Sequence, residues 1–232
     1  MSTHRISTDK FLALDSELRD TVAYLETGLA QIWELDGANT IYSVPFASLA
    51  QGLERLMKLV LGLAEFERSG DLTIPRKELR RSHDLAQLCK AVCLELKTSA
   101  LPQDAEYMCT DEQFGHFLSI LSDFAVRDRY RNRDILSGTA DPQAVDAIAR
   151  FDLLKLEFLK AHPQFDPSTP GFASFYQAMK EHLTRILQRF IRALSRAFTM
   201  GGLGREGRRF GGRLHPWVFM MEEGLTSLSN RR

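Results

Sequence analysis

Apolar positions recur every three to four residues over long stretches of the chain, and no stretch alternates as a half-buried strand would. Leu14, Leu18, Val22, Leu25, Leu29 and Ile32 predict a first helix over about residues 9–35, stopped by Asp36-Gly37-Ala38-Asn39. A second helix opens near Ser43, with Pro45 in its first turn, where a missing N–H costs nothing. It runs to about Arg68 and ends at Ser69-Gly70-Asp71. Leu53, Leu56, Met57, Val60, Leu61 and Leu63 make it apolar enough for a central helix.

A basic connection (Arg76, Lys77, Arg80, Arg81) leads to a third helix, about 84–98, whose first turn Ser82 or Asp84 can cap. Residues 99–110, with Pro102, read as a loop. A fourth helix is predicted over 111–135, with Phe114, Phe117, Leu118, Leu121 and Phe124 inward. A fifth spans about 143–161, after Ser137-Gly138 and Pro142. The Pro-rich stretch 162–171 is the clearest break, and a long sixth helix, about 172–199, follows it. Residues 201–212 form a Gly/Arg-rich loop, and Pro216 to about Ser227 would make a short closing helix. The predicted fold class is all-α, an up-and-down bundle of about six to seven helices. Residues 1–165 would form the bundle, with 166–232 packed on it.

Composition narrows the function classes. The 232 residues hold 30 basic and 30 acidic side chains, so the chain as a whole is no polycation for nucleic acid. Charge is uneven, however. From Lys180 onward 11 Lys/Arg face 4 Asp/Glu, the mark of a docking surface for a polyanion or an acidic partner. Cys89, Cys93 and Cys109 are odd in number and include no CxxC, which argues against a disulfide framework or a zinc ribbon. Small buried thiols in a reducing cytoplasm fit this usage. The start, MSTHRISTDKF, has no apolar core of leader length, and the most apolar window is interrupted by Lys58 and Glu65. The reading is a cytoplasmic protein with no membrane segment, cofactor or metal.

Two short motifs carry a family resemblance. Leu53-Glu54-Arg55-Leu56-Met57-Lys58-Leu59 is similar to the exLLKLxL helix of the HEPN superfamily, and Ser82-His83-Asp84-Leu85 to its GHDL-like helix start. Arg127-Asp-Arg-Tyr-Arg-Asn-Arg133 resembles the Arg/Asn-rich end of the family's later helix. The resemblance covers roughly residues 10–160. It implies a HEPN-like helical bundle acting as a homodimer, with a protein or RNA partner, in a setting such as bacterial defence or a toxin–antitoxin pair.

Many members of that family are metal-independent ribonucleases with an Arg followed, after four to six residues, by a His near a helix end. Arg holds the scissile phosphate through its planar fork, and His moves a proton during attack by the 2′-hydroxyl. This chain departs from that pattern: no His follows Arg127, Arg129, Arg131 or Arg133 before His162. Arg76 does precede His83, but in a loop rather than at the helix end. The expectation is therefore a non-catalytic member that binds a partner protein, RNA or a nucleotide. The alternatives are a divergent ribonuclease using His83 with Arg129 or Arg131, and a purely structural interaction protein.

The residues expected to bind are Arg127, Arg129, Tyr130, Arg131, Asn132 and Arg133, since basic side chains interleaved with an aromatic hold single strands by charge and stacking. Asp128 and Asp134 could instead neutralise them within the fold. A second basic face is expected from Arg185, Arg189, Arg192 and Arg196, spaced four, three and four along the sixth helix. Gly202, Gly204 and Gly207 fit GxGxxG by letter, but they follow a helix and no strand precedes them, so a dinucleotide site is rejected.

Overall fold

Ten α-helices and no strand make up the described residues of the computed structural model, which are 4–36, 41–74, 77–98, 101–128, 131–139, 146–200 and 202–214. The helices are α1 (Thr8–Trp33), α2 (Ser43–Ser69), α3 (Lys77–Arg81), α4 (Leu85–Lys97), α5 (Pro102–Thr110), α6 (Glu112–Val126), α7 (Arg131–Ser137), α8 (Ala147–Ala161), α9 (Phe175–Thr199) and α10 (Gly204–Phe210). The six long helices match the periodic segments. The four beyond the expected count of six to seven are α3, α5, α7 and α10, none longer than nine residues. The closing helix expected over 216–227 lies outside the described residues.

α2 is the hub, as its apolar sequence requires. Sixteen of its 27 residues are buried, and it packs against α1, α4, α6, α9 and α10. It ends where Gly70 takes φ +79° and its N–H donates to the Phe66 carbonyl, the left-handed stop that glycine adopts without penalty. Around Phe46, fully buried, lie the rings of Phe151 at 5.1 Å, Phe124 at 5.8 Å, and Tyr42 and Phe117 at 6.1 Å. This cluster joins α2 to α6 and α8.

α1 and α2 pack against each other unusually closely. A Cβ on Gly28 would fall 2.6 Å from Leu49 Cγ, and one on Gly52 would fall 2.8 Å from Leu25 Cγ. Each glycine thus seats a leucine of the other helix. The buried set runs without interruption from Ile6 to Leu214, so α9 and α10 share the core of the preceding helices.

Three sequence expectations need correction. Residues 102–110 are a helix, not a loop: Pro102 starts α5 with its preset φ, and Ala105 and Met108 are buried beneath it. The predicted helix 111–135 is two helices, because α6 ends at Val126 and α7 begins at Arg131. At the break the Asp128 carboxylate accepts a hydrogen bond from the Ala147 N–H at the start of α8. Within 201–212, Gly204–Phe210 form α10. Phe210 stacks on Phe11 at 4.9 Å, and Glu206, buried, pairs with Arg209 at 2.6 Å. No helix among the described residues is long and apolar enough to cross a membrane.

Candidate functional site

The Ser82-His83-Asp84-Leu85 motif is built into the junction of α2, α4 and α6. The Asp84 carboxylate caps α4 by accepting from the Gln87 N–H at 3.0 Å, and it accepts the Ser122 hydroxyl of α6 at 3.1 Å. Ser122 in turn accepts from the Leu85 N–H at 3.0 Å, while Ser82 accepts from the Asp84 N–H at 3.0 Å. His83 stands apart from this cap. Its Nδ1 lies 2.9 Å from an oxygen of Glu54, whose other oxygen takes the Lys58 ammonium at 2.7 Å. Glu54 is buried on α2, whereas 61% of the His83 side chain meets solvent. A carboxylate that fixes one imidazole nitrogen is a general acid–base arrangement.

The space beside His83 is small. Ala47, Ala50, Gln51, Glu54, Phe124 and Ala125 close a hollow of about 20 Å³, room for roughly one water. The hollow reaches the last turn of α6, the helix end from which Arg127 leads out. The arginines beyond have other partners. Arg131 lies 3.5 Å from Asp146 and 3.9 Å from Asp128, so it ties α7 to the start of α8. Burial raises the Asp128 carboxyl above its ordinary value, against the pull of the Ala147 N–H. Arg127 and Arg133 are exposed. Arg129, Tyr130 and the side chain of Asn132 lie outside the described residues.

The arginine stripe of α9 is covered on one side by α5. Arg196 pairs with Asp104 at 3.0 Å, and the Arg189 guanidinium lies 4.0 Å from the centre of the Tyr107 ring. Arg192 is half-buried between them in the stripe, and only Arg185 is exposed. Burial raises the Asp104 carboxyl, and Arg196, Arg192 and Arg189 oppose that rise. The sequence does not reveal this cover, because residues 102–110 have the pattern of a loop.

The three cysteines gather where α4 meets α5. Cys89 and Cys93 are buried and Cys109 is exposed. Partial burial, then Cys93 beside it, pushes the Cys109 thiol from about 9 up to about 11. A rise of two units removes most of the thiolate, the nucleophilic form. Cys109 is therefore expected to react with iodoacetamide at pH 7 on the order of 100-fold more slowly than free cysteine. Mass-spectrometric labelling rates check this, and labelling at the free-cysteine rate would refute it.

One site has no counterpart among the sequence motifs. A cavity of about 270 Å³ opens between α6, α8 and α9. Its polar lining is Glu112, Gln113 and His116 from α6, Glu157 from α8, His162 at the C-terminal cap of α8, and His182 from α9. His116 Nδ1 lies 3.5 Å from Glu157, and His162 Nδ1 lies 2.9 Å from the Phe158 carbonyl. The Phe158 ring stacks on His162 at 4.2 Å and meets His182 at 5.2 Å. Burial holds His182 below the ordinary imidazole value, and Arg185 and His162 add to the shift. The only sequence hint is Phe158 and His162 four residues apart, since the three histidines lie far apart along the chain. Among the described residues no cluster of three His, Cys, Asp or Glu side chains could hold a metal ion.

No family model, curated protein or solved structure matches this chain.

Proposed function

We propose that the chain is a HEPN-like helical bundle that acts by binding RNA or a partner protein, without cleaving RNA. The observation that carries this reading is the setting of His83. Its Nδ1 is committed to Glu54, and Arg131, the described one of the two candidate arginines, is tied to Asp128 and Asp146. A ribonuclease needs a phosphate-sized space that an arginine and the proton-moving imidazole both reach. Asp84 caps α4 and Ser82 braces the turn before it, which explains those motif residues by folding alone. Binding falls to the exposed cations at the end of α6 and on α7, Arg127 and Arg133. The resemblance implies a dimer and a defence or toxin–antitoxin setting.

Labelled single-stranded RNA mixed with the purified protein tests this reading. The expected outcome is retention without cleavage, weakening as salt rises. Arg127→Ala with Arg133→Ala should reduce the slope of log K against log salt by about 1.4, at roughly 0.7 for each single-strand phosphate left without its arginine. The second reading is a divergent ribonuclease, favoured by the Glu54–His83 pair. Cleavage that disappears in His83→Ala would establish it and overturn the first.

A further inference from the structure

The cavity between α6, α8 and α9 is separate from the His83 hollow and from the arginines of α7, and neither motif reading accounts for it. Its wall is divided. Phe117, Leu154, Phe158, Met179, Leu183 and Ile186 supply a continuous apolar surface. Two carboxylates, Glu112 and Glu157, contribute to the lining together with three imidazoles and an amide. Glu157, with 60% of its side chain exposed, marks the mouth. No lysine or arginine among the described residues lines the space.

We infer that this cavity binds a small organic amine, with its ammonium at the Glu112 and Glu157 carboxylates and its apolar body against Phe158 and the neighbouring aliphatic side chains.

Charge decides against an anion, because both ionised groups of the lining are negative and no fixed cation in that lining offsets them. His182 is held towards its neutral form, so it offers an acceptor nitrogen instead of a positive charge. A plain hydrocarbon would use only the apolar part of the wall and leave the two carboxylates unengaged. A bound metal ion is disfavoured because the ligating groups are not clustered closely enough. An ammonium pairs directly with the carboxylates. Size sets the body: a cavity of about 150 Å³ takes benzene, so 270 Å³ suits an aryl or alkyl amine of about ten heavy atoms. Ordinary ligand efficiency for such a molecule gives a Kd on the order of 0.1 mM.

The probes are phenethylamine and hexylamine, with 3-phenylpropionate as the carboxylate of matching body. Titration calorimetry and the imidazole C–H signals of the intact protein report binding. The expected result is amine binding at pH 8 that shifts the signals of His116, His162 and His182. Glu112→Gln with Glu157→Gln should weaken it at least tenfold while leaving the circular dichroism unchanged. Equal or tighter binding of 3-phenylpropionate overturns the proposal. So does unchanged affinity in the double variant, or failure of both amines to move the three imidazole signals. Because the readout involves no RNA, its failure leaves the RNA-binding proposal standing, and the reverse also holds.

Discussion

Replacing Phe46 with alanine is expected to lower stability by about 3–5 kcal/mol, the cost of deleting a fully buried ring whose surroundings cannot close over the gap. Four aromatic rings, from α6, α8 and the turn leading into α2, flank it within 6.1 Å. Rings held on separate helices cannot all move inward without disturbing other packing, so most of the cavity should persist. For a chain of this length the loss corresponds to a melting point lower by about 10 °C. Urea unfolding measures it: the midpoint should fall with little change in slope. A destabilisation below about 1 kcal/mol, well short of the large-to-small range, would show that the cluster repacks. The damage should also reach both candidate sites, because Phe117 lines the α6–α8–α9 cavity and Phe124 lines the hollow beside His83.

The second large effect is expected at the crossing of α1 and α2. In Gly28→Ala the new Cβ would meet Leu49 Cγ at 2.6 Å and the Leu49 backbone nitrogen at 3.0 Å. In Gly52→Ala it would meet Leu25 at 2.8 Å and the Leu25 backbone nitrogen at 3.1 Å. A leucine side chain can rotate, but a backbone nitrogen cannot, so the helices must separate. Overpacking costs about 1–3 kcal/mol per site, and alanine returns up to about 1 kcal/mol of helix propensity at each. The double variant should be destabilised by up to about 4 kcal/mol net. The two sites share one interface, so their effects need not add. Denaturant unfolding of both single variants and the double variant checks this. A double variant more stable than the parent would mean that helix propensity alone governs these positions.

The long helices are legible in the sequence because each carries an unbroken apolar period and a recognisable stop. Asp84 reads as a cap from its type and place, and its carboxylate does cap α4. The short helices are not legible. α5 begins at a proline and buries little beyond Ala105 and Met108, so its nine residues look like a loop until α4 and α9 are placed around it. The break after Val126 is hidden for a different reason. Arg127 to Ile135 contains no glycine or proline to announce it, and the Asp128–Ala147 bond found at the break joins residues far apart in the sequence. The histidine-lined cavity is invisible for the same kind of reason, since its three imidazoles meet only after α6, α8 and α9 pack together.

The α1–α2 crossing also has a local symmetry. Leu25 and Gly28 on one helix repeat the Leu-x-x-Gly spacing of Leu49 and Gly52 on the other. Each leucine lies against the opposite glycine in an antiparallel exchange. That reciprocity is the pattern of a two-fold subunit interface, here enclosed within one chain. The four positions are consequently coupled in packing as two diagonals, 25 with 52 and 28 with 49. A side chain gained at either glycine requires a smaller residue at its diagonal partner, so true relatives should show paired substitutions where unrelated helical chains show none.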